Sequence, residues 1–205
     1  MYYTDPTKVD TDDDRLDDYR EIITYGTDPR LNDTDGDLLL DGDEVSGIAI
    51  PYIGVKKTDP TKKDTDGDGL TDYEEFMGVV TPIGRLYSDP TYLDTDLDGL
   101  NDTAEMMGWN ATYETLEGRI VVVHVVSYPN RTDSDSDGLS DYIEFYYNSN
   151  PLSNDTDEDG LSDTEEYAYG ISFVDQDTDG DLLSDYEEVI GFYIEGIGKV
   201  TTDPK

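Results

Sequence analysis

Apolar residues in this chain are concentrated in four segments, at residues 48–55, 79–86, 109–128 and 192–200. Each segment contains a Gly or Pro turn signal between two short runs of strand-forming residues, which is the pattern of a small β-hairpin. Residues 119–128, which read RIVVVHVVSY, form the strongest predicted strand. We expect the hairpins to pack over neighbouring helices as a small satellite core. The alternative is that their edges pair with another chain.

Around these segments the chain repeats one acidic 12-residue pattern, seen most clearly as DTDGDGLTDYEE at residues 64–75. Every copy has Asp at positions 1, 3, 5 and 9, Leu at position 7 and Glu at position 12. A solvated acidic surface would not require a Glu at a fixed distance from the Asp residues, so the spacing indicates a specific structure. The seven copies, numbered here as loops one to seven, are residues 10–21, 33–44, 64–75, 94–105, 133–144, 155–166 and 177–188.

This spacing of oxygen ligands predicts a calcium site in each loop. Ca²⁺ takes about six to eight oxygen ligands in a flexible shell, whereas Mg²⁺ prefers a smaller octahedral shell with retained waters. A 12-residue loop can surround one ion with the side chains at positions 1, 3, 5 and 9, the carbonyl at position 7 and a bidentate carboxylate at position 12. The predicted metal ligands are Asp10, Asp12, Asp14, Leu16, Asp18 and Glu21; Asp33, Asp35, Asp37, Leu39, Asp41 and Glu44; Asp64, Asp66, Asp68, Leu70, Asp72 and Glu75; Asp94, Asp96, Asp98, Leu100, Asp102 and Glu105; Asp133, Asp135, Asp137, Leu139, Asp141 and Glu144; Asp155, Asp157, Asp159, Leu161, Asp163 and Glu166; and Asp177, Asp179, Asp181, Leu183, Asp185 and Glu188.

Position 6 is predicted to adopt a left-handed backbone conformation. Four loops carry Gly there, and Gly reaches positive φ without steric cost. Arg15, Leu38 and Leu182 occupy the same position in the other three loops. A residue with a side chain pays about 1–2 kcal/mol for this conformation. We therefore expect weaker calcium binding in these three loops, above all in the loop with Arg15.

A short helix is predicted after position 9 of each loop. In loop three, Asp72 is expected to cap the helix N-terminus, with Glu75 at the capping-box spacing. Each helix has only about two turns and would not be stable alone, so calcium and packing must hold it. The residues predicted to stop the helices are Gly26, Gly47, Gly78, Gly108, Asn148, Gly170 and Gly191.

A Thr/Ser-Asp-Pro motif follows the helix or hairpin in three repeats, with its Asp at Asp28, Asp59 and Asp89. The simple interpretation is a local turn, because Pro fixes φ and Asp hydrogen-bonds to nearby backbone. The other interpretation is that these aspartates also bind a neighbouring ion.

The charge of the chain restricts the function classes. The formal net charge is −38, so clustered cations for binding nucleic acid or anionic membranes are absent. The chain has no Cys, which excludes disulfides and thiolate metal sites. No run of about 18 apolar residues is present, so no segment is predicted to span a membrane.

The regular carboxylates are explained as ligands and no nucleophile–base pair accompanies them, so we expect no enzyme activity. Sequons that predict a secreted glycoprotein start at Asn32, Asn101, Asn110, Asn130 and Asn154.

The D-x-D-x-D-G-L-x-D core of these loops resembles the thrombospondin type 3 repeat, and it is less similar to EF-hand or dockerin loops. The absence of Cys and the Glu at position 12 make it more similar to the versions in large prokaryotic surface proteins. The resemblance implies a calcium-cored, extracellular, elongated array. The expected fold class is thus mostly irregular and α-helical with small β-hairpins, in one array of seven loop–helix repeats over residues 1–205.

The first function expected is a stalk or scaffold of a cell-surface protein, made rigid by about seven Ca²⁺ ions, one per loop. The alternative is a calcium-dependent adhesion or self-assembly module, such as a filament or surface-layer subunit, that acts through the hairpins. Its expected partners are other copies of the chain or other cell-surface proteins. Because Thr-Asp-Pro motifs stand at both ends, the chain is expected to be a segment of a longer array, or a subunit whose end meets a neighbour.

Overall fold

The computed structural model describes residues 3–205. In this part of the chain the first eight positions of each acidic loop are irregular, and a short helix begins at position 9. The helices are α1 (Asp18–Arg20), which continues as a π-helical turn (Glu21–Tyr25), α2 (Asp41–Ser46), α3 (Asp72–Met77), α4 (Asp102–Met107), α5 (Asp141–Tyr147), α6 (Asp163–Tyr169) and α7 (Asp185–Ile190).

All four apolar segments form antiparallel two-stranded hairpins, as predicted. The third hairpin in chain order has strands of six residues, and the strands of the other three hairpins have three residues each. The strands are β1 (Ile48–Ile50) with β2 (Gly54–Lys56), β3 (Val79–Thr81) with β4 (Gly84–Leu86), β5 (Trp109–Glu114) with β6 (Ile120–Val125), and β7 (Phe192–Ile194) with β8 (Gly198–Val200). The predicted mixture of irregular loops, short helices and small hairpins is confirmed.

The helices begin one residue earlier than the sequence suggested. Thr71, at position 8, is the N-cap of α3, and its hydroxyl and backbone N–H form a capping box with Glu74. The prediction that Asp72 caps this helix was therefore wrong, because Asp72 is the first helical residue and its carboxylate is bonded elsewhere. The predicted stops are confirmed: six are C-caps, and Gly108 follows α4 with φ 73°.

The chain divides into two compact units. The first contains the residues up to Asp96 together with Asn101–Met106, and the second contains Leu97–Leu100 and Met107–Lys205. The core of the first unit is a cluster of Leu39, Ile50 and Phe76, so hairpin β1–β2 packs on loop two and α3.

The core of the second unit is aromatic. Trp109 of β5 meets Phe145 of α5 edge to face, with ring centroids 5.3 Å apart. Phe173 is 2% exposed and lies 4.8 Å from the ring of Tyr147. The indole N–H of Trp109 donates to the carbonyl of Ser149 at 3.1 Å. Hairpin β5–β6 therefore packs on α5, as the satellite-core interpretation predicted for the inserts.

Successive loops within a unit are joined by a recurring hydrogen bond. The backbone N–H at position 10 of one loop donates to the carboxylate at position 5 of the preceding loop. Tyr73 donates to Asp37 at 3.2 Å, and Thr103 donates to Asp68 at 3.0 Å. The further pairs are Gly42 with Asp14, Tyr142 with Asp98, and Tyr186 with Asp159.

Candidate metal-binding loops

The Asp at position 1 holds the turn of its own loop. In loop three, the N–H groups of Gly67 and Gly69 donate to the two carboxylate oxygens of Asp64 at 2.6 Å and 3.1 Å. Both glycines have positive φ, at 85° and 109°. The left-handed conformation predicted at position 6 is thus confirmed, and the structure adds a second left-handed residue at position 4.

That second left-handed residue has the same conformation in every loop but not the same residue type. Position 4 has positive φ at Asp13, Gly36, Gly67, Leu97, Ser136, Glu158 and Gly180. Because five residue types occupy it, sequence composition carries no signal for this conformation. The three departures at position 6, Arg15, Leu38 and Leu182, have φ values of 82°, 94° and 80° and carry the strain that the sequence predicted.

The Asp residues at positions 3 and 5 each use one oxygen for a local backbone bond. In loop three, Asp66 Oδ1 accepts from Asp68 N at 3.1 Å, and Asp68 Oδ1 accepts from Leu70 N at 2.7 Å. The other oxygen of Asp66 is buried and has no hydrogen-bond partner. The side chain of Leu70 is 1% exposed, so position 7 anchors the loop to the interior.

The Asp at position 9 closes the loop rather than leaving its oxygens open. Asp72 accepts from the backbone N–H of Thr65 at 2.9 Å and from the Thr65 hydroxyl at 2.8 Å. The same hydroxyl accepts the N–H of Asp59. The carboxylate of Asp72 is fully buried, and this burial raises its pKa to about 6, with the charge of Asp37 in the preceding loop adding to the effect.

The Glu at position 12 is fully buried in every loop. Glu75 Oε1 accepts from the Ser88 hydroxyl at 2.8 Å, whereas Oε2 has no hydrogen-bond partner. Thr58 holds Glu44 in the same way at 2.9 Å. This role of the Thr/Ser before Asp-Pro was not predicted from the sequence, although the recurrence of a hydroxyl residue there was a usable signal.

Buried carboxylate oxygens without a hydrogen bond converge in these loops. Buried polar atoms without a partner are rare in folded proteins, and a bound ion is one explanation for them. Most of these oxygens belong to position 3 or position 12 of their loops, including those of Asp12, Asp35, Asp66, Asp135, Asp157, Glu21, Glu44, Glu75, Glu144 and Glu166, and two others belong to Asp137 at position 5 and Asp155 at position 1.

The carboxylates form two kinds of group. Positions 1, 3 and 5 of one loop bring ligand oxygens within 4.8 Å of one another at Asp10, Asp12 and Asp14; at Asp33, Asp35 and Asp37; and at Asp64, Asp66 and Asp68. A different group joins two loops and is entirely buried. It consists of Asp14 and Glu21 of loop one with Asp41, at position 9 of loop two.

Burial raises the pKa of several carboxyl groups at positions 3 and 12, and neighbouring carboxylates add to the effect. The pKa of Glu75 rises to about 10 through desolvation, with the charges of Asp66 and Asp68 also raising it. The pKa of Glu44 rises to about 9, and that of Asp66 to about 6, again mainly through desolvation. Ionised carboxylates in this arrangement need a cation to offset their desolvation and mutual repulsion.

The remaining predicted ligands occupy equivalent sequence positions. Loop four is divided between the two units: Asp94, Asp96, Asp102 and Glu105 lie in the first, and Asp98 and Leu100 lie in the second. In loops five to seven, the position-2 hydroxyl bonds Asp141, Asp163 and Asp185 as Thr65 bonds Asp72. Leu183 is half-buried, whereas the other position-7 leucines are buried. Calcium ligation by the full predicted set remains a prediction.

The aspartates of the Thr/Ser-Asp-Pro motifs have partners of their own. Asp28 pairs with Arg30, Asp59 accepts from Thr61, and Asp89 pairs with Lys56. These contacts favour the turn interpretation of the motif. Its hydroxyl residue, rather than its Asp, is the part that reaches a candidate metal ligand.

Hard oxygen donors without sulfur or imidazole fit a hard divalent cation. The loops supply several carboxylates at flexible spacing, which suits Ca²⁺ better than the strict octahedron of Mg²⁺. None of the helices in the described part of the chain is long and apolar enough to cross a membrane.

Comparison with known proteins supports a calcium-binding repeat in part of the chain. The family model described as the bacterial TSP3 repeat matches residues 64–75, 133–154, 155–170 and 177–190, which contain loops three, five, six and seven. No curated protein and no solved structure matches the chain. The resemblance to cysteine-free TSP3 repeats of bacterial type is thereby confirmed in these segments.

Proposed function

We propose that this chain is a calcium-binding structural region, a stalk or scaffold of an extracellular or cell-surface protein that calcium makes rigid. One observation carries the proposal: in loop three, Asp66 Oδ2 and Glu75 Oε2 are buried carboxylate oxygens without a hydrogen-bond partner. The recurrence of this arrangement in other loops and the match to bacterial TSP3 repeats support it.

Calcium is proposed to supply stability that the apolar core does not. The cores are small clusters, and the position-12 Glu of each loop is a fully buried carboxyl group. When a site forms only on folding, the free energy of metal binding becomes folding free energy. We propose about one ion per loop, held by the predicted ligands. The buried group of Asp14, Glu21 and Asp41 would let an ion also tie one loop to the next.

We propose a structural rather than catalytic role, because these carboxylates close turns and line the loops. An extracellular location is proposed because the sequons are accessible: Asn32, Asn101, Asn110, Asn130 and Asn154 are all exposed. Extracellular calcium modules bind at roughly 10⁻⁴–10⁻³ M, and we expect this range.

Circular dichroism and thermal unfolding with calcium and after its exhaustive removal test the proposal. Calcium should increase ordered structure and raise the melting temperature, and calorimetric titration should give about one ion per loop. An unchanged spectrum and melting temperature would refute it.

One observation favours a second function, a calcium-dependent self-assembly module. Strand β6 is apolar and exposed at Ile120, Val122 and Val123, which are 57%, 58% and 43% exposed. No other hairpin of the described chain has an exposed apolar strand of this length.

A further inference from the structure

The second strands of the four hairpins differ in how they are protected from pairing with another chain. Strands β2, β4 and β8 have three residues each, begin with Gly and contain one cation, at Lys56, Arg85 and Lys199. Short length and a charged side chain are devices that prevent an edge strand from pairing with another chain. Strand β6 has six residues, reads IVVVHV and has neither device.

The outer edge of β5 is already covered within the second unit. Thr112 N donates to the carbonyl of Asn148 at 3.1 Å, and Glu114 N donates to the carbonyl of Val174 at 2.8 Å. Gln176 N donates back to the carbonyl of Glu114 at 3.2 Å. The hairpin can therefore be extended only at β6.

The hydrogen bonds of β5 also determine which residues of β6 direct their backbone N–H and C=O groups to the open edge. Because Thr112 and Glu114 direct their N–H groups away from β6, the residues of β5 that bond to β6 are the alternate ones. The register then makes Ala111–Val123 and Tyr113–Val121 the hydrogen-bonded pairs. Ile120, Val122 and His124 are left with backbone N–H and C=O groups that point to the open edge. In the described part of the chain no other segment bonds to that edge.

The outward residues are symmetric about Val122. An antiparallel copy of β6 can pair Val122 with its own equivalent, Ile120 with His124 and His124 with Ile120, so that every outward group meets another. No carboxylate lies within residues 119–128, although the chain as a whole carries a net charge of −38. At this strand two copies can approach without placing acidic side chains opposite each other, which would be destabilising.

We propose that β6 is a self-association edge, at which a second copy of this chain adds its own β6 antiparallel in the register centred on Val122. The product is a four-stranded sheet with two-fold symmetry. This inference rests on the second function above and names its partner.

Calcium is connected to this edge through Gln176. Its side-chain oxygen accepts from Leu116 N near the hairpin tip at 3.0 Å, and its amide donates to the carbonyl of Asp157 in loop six. Ordering of loop six therefore helps to hold the hairpin in place, so the dimer should require calcium.

Analytical ultracentrifugation of the calcium-loaded chain over a range of concentrations tests the proposal. The mass should double as concentration rises. Val122→Lys should raise the dimer dissociation constant at least about tenfold, because two like charges would face each other at the centre of the interface. Val80→Lys is the matched control, since Val80 is an exposed strand valine, 72% exposed, in a short hairpin. It should leave dimerisation unchanged.

Single cysteines test the register, because the natural chain contains none. In a hydrogen-bonded antiparallel pair the Cα atoms lie about 5.5 Å apart, within the range of a disulfide. Val122→Cys should therefore form a cross-linked dimer under mild oxidation. Ile120→Cys alone should not, but it should cross-link to His124→Cys when the two variants are mixed.

A chain that remains monomeric at all concentrations in calcium would overturn the proposal, and so would a dimer that Val122→Lys does not weaken. Equal cross-linking of Val122→Cys and Ile120→Cys would overturn the register. The calcium-dependent melting of Val122→Lys keeps the scaffold function separate, since that variant should still be stabilised by calcium.

Discussion

The hydroxyl of Ser88 donates a 2.8 Å hydrogen bond to Oε1 of Glu75, and both side chains are fully buried. Glu75 lies in α3, and the end of this helix and hairpin β3–β4 separate it from Ser88, so the hairpin returns the chain to the loop it left. The bond fixes the direction of the Glu75 carboxylate while Oε2 remains available. A hairpin insert thus contributes to the geometry of a candidate calcium site.

Ser88→Ala should weaken calcium binding in loop three without unfolding the chain. Removing an outer partner of a metal ligand typically reduces affinity about 10- to 100-fold. Calorimetric titration should show one weakened site and the others unchanged. Thr61→Ala, which removes a hydroxyl bonded to Asp59 in an exposed turn, is the control and should bind like the natural chain. Equal affinities for the two variants would contradict a positioning role for Ser88.

Glu75→Gln should have opposite effects with and without calcium. With calcium, loss of a buried ligand charge should abolish binding in loop three and lower the melting temperature. Without calcium the same change should stabilise the chain at neutral pH, because folding must either protonate the buried Glu75 carboxyl or bury its charge, and Gln requires neither.

Glu117→Gln is the matched control for this variant, because Glu117 is exposed in the turn of hairpin β5–β6. The Glu117→Gln variant should have the melting temperature of the natural chain both with and without calcium. Destabilisation of Glu75→Gln by the same amount in both conditions would indicate a packing role rather than a ligand.

The ion-free chain should lose stability as pH rises. Burial raises the pKa of Glu44 from its ordinary value to about 9 and that of Glu75 to about 10. Between the ordinary value and these values the folded state binds more protons than the unfolded state, so the free energy of unfolding falls with increasing pH. The stabilising contribution is fully present below the ordinary carboxyl pKa and is lost as pH passes the raised values.

Calcium should reverse this trend, since the ion replaces the bound protons and its affinity increases with pH. Urea unfolding at about pH 5 and about pH 8, in metal-free buffer and in calcium, measures both slopes. Metal-free stability that increases over this interval would contradict the proposed burial of these carboxyl groups.

The acidic loops, the helix stops and the four hairpins could be predicted because their sequence signals are local. The contact of Asp41 with the preceding loop could not, since it depends on how loops one and two pack together. The role of Ser88 was missed for the same reason, because it lies 13 positions from Glu75. The N-cap was misplaced because Asp72 serves the loop, through Thr65, instead of the helix.

Replacing Leu38 by Gly should strengthen calcium binding in loop two. Leu38 has φ 94° and its side chain is 70% exposed, so the change relieves backbone strain and removes little packing. The strain is about 1–2 kcal/mol, of which the greater freedom of Gly in the unfolded chain offsets roughly 1 kcal/mol. Binding to the folded loop should gain more than overall stability does. Calorimetric titration should therefore show a several-fold higher affinity at this site.

Leu31→Gly is the control, because Leu31 is half-exposed and is not among the residues with positive φ. It should reduce stability without raising affinity, and a similar response of the two variants would mean that the left-handed backbone at position 6 does not limit binding.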